Sequence, residues 1–449
     1  MHAAESSAMI AVRAAVQRGL DAHVPAGAPI AIALSGGRDS VVLFDALVRL
    51  APARDHRLSA LHVHHGLSPH ADAWQRFCAE LCAEHNVALS VRAVDVPRTP
   101  QTSLESEARR LRYAALTEMA AAADVPFVAL AHHRDDQAET LLLQLLRGAG
   151  PHGLAGMSET RVGARGVTFL RPLLGIARAE IDACAIAAQL RWVDDESNAQ
   201  TRYLRNAVRH TLMPALADVF PNPAATLARA AAHQAEAALL ADDLAAHDAC
   251  RVSDGVTLDR AALAALPLHR ARNLLRWFLR QQGLPAPSSA RLATMIGQLG
   301  SARGDANVCV AHGGVELGVH RGRVAIHAKA APQFDLPWRG EQMLVLPHGR
   351  LVFARTEGEG LDERQLAEAP VRVRSRVGGE RLQLAPNRPR RALKSILQDA
   401  AMPAWERRAL PLLFCGGTLA AAAGVGVDVA FHARPGQAGV TLRWQPDAF

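Results

Sequence analysis

The chain has 449 residues, 49% of them hydrophobic and 21% charged, enough for two or three cored domains and too apolar to be disordered. Its net charge of +7 is concentrated, because residues 371–415 carry nine Arg and one Lys against Glu380, Asp399 and Glu406, leaving the rest of the chain neutral. A basic segment on a neutral body fits either a polyanionic partner such as nucleic acid or a scattered solvated surface. The six cysteines contain no CxxC and no zinc or iron–sulfur spacing, and Cys78 and Cys82, one helical turn apart, read as small hydrophobes in a reducing cytoplasm. The start reads as an amphipathic helix and not a signal peptide. No apolar run reaches the roughly 18 residues that a membrane span needs.

In chain order, the first 200 residues alternate short apolar runs with helix-length stretches. Strands are expected at Pro29–Leu34, Leu58–His65, Ala88–Val96 and Pro126–His133. Helices are expected at Val41–Leu50, Trp74–His85, Leu104–Ala123 and from near Arg134 to about Arg147. That rhythm predicts a mostly parallel sheet covered on both faces. Beyond Pro214 the texture becomes Ala-rich helix, from Thr226 to about Ala249, with further helices at Leu263–Gln282 and Ser289–Leu299. Alternating hairpin strands follow near Val308–Val310, Val315–Val319 and Arg323–Ile326. The Pro- and Gly-rich region 331–370 reads as a linker with short strands, and 371–449 as a small basic α+β domain with a helix at Arg391–Ala400. The expected organisation is thus a Rossmann-like α/β domain over 1–216, a mainly helical domain with hairpins over 217–330, the linker, and the terminal domain.

Two stretches carry chemistry. Ser35-Gly36-Gly37-Arg38-Asp39-Ser40 follows the first strand and opens a helix. Glycines there let backbone amides approach a ligand, and the helix start favours phosphate. Arg38 or Ser40 can add donors, whereas Asp39 makes sense beside phosphate if it holds Mg²⁺. A plain Gly-Gly turn with a helix-start charge explains the same residues about as well. The second stretch, His132-His133-Arg134-Asp135-Asp136-Gln137-Ala138-Glu139-Thr140, begins at another strand's carboxyl end, where open α/β sheets bind ligands. Asp136 and Glu139 lie three apart on one helix face, able to hold Mg²⁺ or act as a base toward an amine. Leu141, Leu142, Leu145 and Leu146 are expected to supply the buried side. His132 and His133 alone read as structural. Arg109 with Arg112, and Arg205 with Arg209, form one-faced cationic pairs, either phosphate-binding or paired with nearby Glu105, Glu107 or Asp218.

The pattern SGGxDS resembles the pyrophosphatase loop of the N-type ATP pyrophosphatases, the PP-loop superfamily. The stretch Ala131–Met157 (AHHRDDQAETLLLQLLRGAGPHGLAGM) resembles the hallmark of the tRNA(Ile)-lysidine synthase family. Other pieces agree in order: HVHHGL at His62–Leu67, EARRLRY at Glu107–Tyr113, RPLL at Arg171–Leu174, DESN after Asp194, RYLRNAVRHTLMPAL at Arg202–Leu216, and a terminal RVGGERLQL…RALKSILQDAAMPAWERRALPLL. His64 stands where Asn or His is expected.

The resemblance implies a ligase that uses ATP and Mg²⁺. It would join free L-lysine to the 2-position of the wobble cytidine of an isoleucine tRNA with a CAU anticodon, through an adenylated intermediate. Ser35, Gly36, Gly37, Arg38, Asp39 and Ser40 would bind ATP, Asp39 and Asp136 the metal. Asp39, Asp136, Glu139, Arg109 and Arg205 would form the catalytic set. It also suggests a homodimer and no membrane attachment. Aromatic residues make up only 4% of the chain, so tRNA would be held through phosphate contacts from Arg388, Arg390, Arg391, Lys394, Arg407 and Arg408, with Trp405 more a core residue than a stacking platform. A 2-thiocytidine synthetase would need the missing cysteine pairs, an amidotransferase-type synthetase a glutaminase or ammonia route, and a noncatalytic tRNA-binding protein no charged groups around the phosphates.

Overall fold

A computed structural model describes residues 6–66, 68–97, 104–196, 203–301, 308–330 and 332–447. Leu67, Ser197, Asn198 and Arg202 of the motifs above lie outside that set. The chain divides into two compact units, Met1–Leu240 and Ala241–Phe449.

The first unit runs α1 (Ser7–His23), β1 (Ile30–Ala33), α2 (Arg38–Leu50), β2 (Leu58–His64), α3 (Ala71–Glu84), β3 (Ala88–Ala93), α4 (Leu104–Ala122), β4 (Phe127–Ala129), α5 (Arg134–Leu145), α6 (Pro151–Leu154), β5 (Thr160–Val162), β6 (Thr168–Leu170), α7 (Arg178–Ala187), α8 (Leu204–Ala207), a π-turn over Val208–Leu212 and α9 (Met213–Val219). The sheet order is β3-β2-β1-β4-β6-β5, parallel except for the edge strand β5. Strand residues alternate between two cores, as a sheet buried on both faces requires. Ile30, Ile32, Ala60, Ala129 and Leu170 pack under α1, α2, α3 and α7. Ala31, Leu61, Val128, Leu130 and Phe169 pack under α4 through Leu116, Met119 and Ala120. Residues 40–47 of α2 are buried without interruption, Asp45 included, its carboxylate bonded to Arg49 at 3.0 Å. Cys78 and Cys82 are buried free thiols, pushed by that burial to about 12 and about 11.

β1 lies between β2 and β4, where the strand order reverses, so the loops after β1 and β4 flank the crevice at which such sheets bind ligands. This places the two chemical motifs side by side although about a hundred residues separate them.

The second unit begins within α10 (Pro223–Val252), followed by β7 (Thr257–Asp259), α11 (Arg260–Ala265), α12 (Leu268–Gln281), α13 (Ser289–Ser301), β8 (Cys309–His312), β9 (Val315–His320) and β10 (Arg323–Ala328). The single helix expected at Leu263–Gln282 is two helices, because Pro267 precedes the first residue of α12 and breaks the run. The four strands form an antiparallel sheet, β7-β10-β9-β8, one face of which packs on α12 and α13 through Leu258, Leu317, Val324, Leu274, Phe278 and Leu292.

Region 331–370 is not a linker. Asp335–Trp338 pairs with Val371–Arg374, and Gly349–Glu357 pairs along its whole length with Ala438–Pro446. Phe353, Val373, Leu413 and Ala421 share one core. The terminal module therefore starts near residue 332, and its Pro and Gly residues mark tight turns between strands. Arg390 bonds the fully buried Asp428 at 2.8 Å, Arg391 bonds Asp399 at 2.6 Å, and Arg372 bonds Asp335 at 2.6 Å. Part of the segment's positive charge is thus neutralised locally, while Arg388 and Lys394 stand exposed.

Candidate active site

The loop after β1 is closed by its own hydroxyls. Ser40 donates to the Gly37 carbonyl at 2.8 Å and lies 3.1 Å from the Ser35 hydroxyl, which in turn accepts from the Gly37 amide at 3.3 Å. The Ser35 amide donates to Ser40 Oγ at 3.3 Å. Gly36 sits at φ +86°, and a β-carbon there would stand 3.0 Å from Val193 Cγ2 and 3.2 Å from Cys78 Sγ, so both conformation and space call for glycine. Ser40, expected to donate to phosphate, is buried and serves the loop instead. Arg38, expected beside it, is held by Asp182 at 2.6 Å and lies over the Trp192 ring at 4.8 Å. What the turn presents is backbone, in the arrangement that favours an anion.

Across the crevice, α5 starts directly after β4. The Asp136 carboxylate reaches back to accept from the His133 amide at 3.1 Å, as an acid at the third helical position does. Of the expected buried side, Leu141 and Leu142 are buried, but Leu145 and Leu146 are 53% and 74% exposed, whereas Glu139 is 2% exposed and Asp136 also buried. The acids point into the protein because Arg209, on the π-turn, meets them there. Arg209 donates to both Glu139 oxygens, at 2.6 and 3.0 Å, and to Asp136 Oδ1 at 3.0 Å. Arg205 donates to Thr140 Oγ1 at 2.9 Å and lies 4.0 Å from Glu139. The bridging arginine is therefore Arg209, with Arg205 beside it.

His133, 1% exposed, joins the two motifs. Its Nε2 stands 3.7 Å from Asp39 Oδ2 and 3.5 Å from Asp136 Oδ2. Burial lifts the Asp39 carboxyl above its ordinary range, with His133 opposing and the Asp136 charge adding to the rise. For Asp136, burial pushes upward but is outweighed by His133, His132 and Arg209, which hold it below the ordinary value. Glu139 is lifted by burial despite Arg209. Neighbouring carboxyls pushed apart in this way suit different roles at one pH.

Arg109 and Arg112 face the same end of the sheet, 5.5 and 5.9 Å from the Tyr113 ring, with Arg161 at 5.3 Å and Arg171 donating to the Tyr113 hydroxyl at 3.3 Å. Burial lowers both Arg109 and Arg112; repulsion from Arg205 and Arg171 adds to it for Arg109, and repulsion from Arg109 and Arg205 for Arg112. Such a cluster of cations favours an anion between them. His132, lowered by burial to about 3, is neutral.

Three family models match the chain: a PP-loop domain over residues 12–216, a TilS substrate binding domain over 258–327 and a TilS substrate C-terminal domain over 371–444. The tRNA(Ile)-lysidine synthase of Nitrosomonas europaea is 41% identical over 95% of this chain and 94% of its own. The chain belongs to the tRNA(Ile)-lysidine synthase family. The namesakes from Ralstonia nicotianae, 44% identical over 90% of each chain, and Burkholderia pseudomallei, 42% identical over 94% of each, agree. As a lysidine synthase family member it is a PP-loop ligase that uses ATP.

Two residues contribute more to the site than the sequence alone suggests. His133 looked structural, and its place between two strand ends is visible only once β1 and β4 are neighbours. Arg209 was one of a pair, and only the fold separates the arginine that bridges both acids from the one that does not.

Proposed function

We propose that this chain ligates free L-lysine to C2 of the wobble cytidine of an isoleucine tRNA bearing a CAU anticodon. The observation that carries the proposal is the meeting, across His133, of the Asp39 of an anion-favouring turn with a carboxylate pair. The cytosine 2-carbonyl oxygen attacks the α-phosphorus of ATP and pyrophosphate leaves. The lysine ε-amine then attacks C2, and AMP departs with the former carbonyl oxygen. Backbone amides of the Gly36-Gly37 turn hold the phosphates, and Arg109 and Arg112 face the negative charge of the adenylate.

The amine, with an ordinary pKa near ~10.4, must shed a proton before it attacks. Asp136, held ionised and the more accessible of the pair, attracts and orients the ammonium, whose proton passes to solvent, while Glu139 fixes Arg209 behind it. Magnesium fits Asp39, a hard oxygen donor whose side chain is 40% exposed and whose repulsion with Asp136 a dication would relieve. Asp136 fits less well, since both its oxygens already take Arg209 and the His133 amide. When bound, the ion supplies neutralising charge to the polyphosphate. Exposed Arg388 and Lys394 of the terminal module contact tRNA phosphates.

The test is incorporation of labelled lysine by the purified protein with Mg-ATP and CAU-anticodon isoleucine tRNA. Incorporation that requires ATP and spares elongator methionine tRNA is expected; none, or equal labelling of both tRNAs, would overturn the proposal.

A further inference from the structure

The face of the β8–β10 sheet opposite its apolar core carries an unusual group. Glu316 on β9 is the direct cross-strand partner of His327 on β10, and Cys309 on β8 is the partner of Gly318, two residues along β9 on the same face. Ligand atoms of Cys309, Glu316 and His327 all lie within 4.8 Å of one another, and the Cys309 thiol donates to Glu316 Oε2 at 2.7 Å. His327 is 5% exposed, and its Nε2 is buried without a hydrogen-bond partner. Nδ1 lies 2.8 Å from the Ala328 carbonyl. A proton on Nδ1 bonded to that carbonyl leaves Nε2 a bare lone pair, the tautomer and support seen for metal-bound histidines. Gly318 makes room for the ring, since a β-carbon there would stand 2.8 Å from Nε2. Trp405 of the terminal module stacks on the imidazole at 4.4 Å and 6°, covering the ring face.

We propose that Cys309, Glu316 and His327 form a site for a divalent transition-metal ion of the zinc class, with three protein ligands and a fourth position for water. Thiolate, imidazole and carboxylate suit that class and not magnesium. The sequence contains no zinc spacing because the ligands come from three adjacent strands and are brought together by register alone. The ion would tie the three strands together directly beneath Trp405, stiffening the sheet where the terminal module rests on it. A ligating cysteine binds as thiolate, so binding exchanges the thiol proton for the metal and weakens as pH falls.

The test uses the full chain, freed of metal by chelation and titrated with Co²⁺ and Zn²⁺. One equivalent of Co²⁺ should bind with a thiolate-to-cobalt charge-transfer absorption, displaced by Zn²⁺ and accompanied by proton release. Cys309→Ser should abolish that absorption, and both Cys309→Ser and Glu316→Gln should weaken Zn²⁺ by more than the roughly 10–100-fold that outer partners contribute. Cys250→Ser, at the other exposed cysteine, should change nothing. Zn²⁺ should raise the melting temperature of the parent and not of Cys309→Ser. Absence of the thiolate absorption, or binding indifferent to Cys309→Ser, would overturn the site and leave only a thiol beside an imidazole.

Discussion

Arg209→Met removes the cation that bridges Glu139 and Asp136. Both acids are buried, and Arg209 supplies two hydrogen bonds to the first and one to the second. Deleting one partner of a buried ion pair costs about 3–5 kcal/mol, because the remaining charge stays desolvated. The Arg209 side chain is itself one-fifth exposed, so water entering its place favours the lower end, about 3 kcal/mol. For a unit of roughly 150–250 residues each kcal/mol shifts melting by about 2–4 °C, giving a loss of about 6–12 °C.

The pH dependence has a definite sign. Glu139, lifted by burial, has a folded pKa above its unfolded one, so the penalty of ionising it is absent below the unfolded pKa and grows as pH rises through the folded value. Losing Arg209 lifts it further. The melting deficit should thus be largest near pH 8 and shrink toward pH 5, and Arg209→Met with Glu139→Gln should recover most of it. Calorimetry of the first unit's transition at both pH values is the assay. A deficit under about 2 °C at pH 8, or one that deepens on acidification, would refute the reasoning.

Asp39→Asn should reduce AMP formation on the order of 10²-fold or more. It should melt at or above the parent at pH 7, because ionising a carboxyl lifted above its ordinary range costs stability that grows with pH; parallel AMP assays and melting curves check both. Gly36→Ala places a β-carbon at φ +86° against Val193 and Cys78, which should destabilise by at least about 1–2 kcal/mol and raise the Kd for ATP in calorimetric titration. Arg388→Ala with Lys394→Ala should weaken tRNA binding and make the slope of log K against log salt shallower by about one for each phosphate no longer neutralised, with ATP affinity unchanged.

The catalytic fold was legible where periodicity is strong. Strands buried on both faces, such as β1, and the apolar run Val41–Phe44 inside α2 announce themselves, and their bounds differ from expectation by only a few residues. The Gly-Gly turn was legible because a left-handed backbone position restricts residue type so sharply. What stayed hidden depends on distance in sequence. Nothing near Asp136 reveals that its charge is answered by Arg209, so a leucine-rich stretch suggested the wrong buried face for the end of α5. The strand pairing of Asp335–Trp338 and Gly349–Glu357 is equally non-local, and a Pro- and Gly-rich composition reads as linker until partners exist. Arg38 and Ser40 show a related limit of motif reading: a donor in the right motif can be engaged by a neighbour, here Asp182 and the loop's own carbonyl.

The central claim, that the cytidine carbonyl oxygen is the adenylated atom, is tested most directly by tracing that oxygen. With CAU-anticodon isoleucine tRNA carrying ¹⁸O at C2 of the wobble cytosine, turnover with lysine and ATP should place the label in the phosphate of released AMP, one per lysine incorporated. Label released into water, or AMP free of it, would contradict the account.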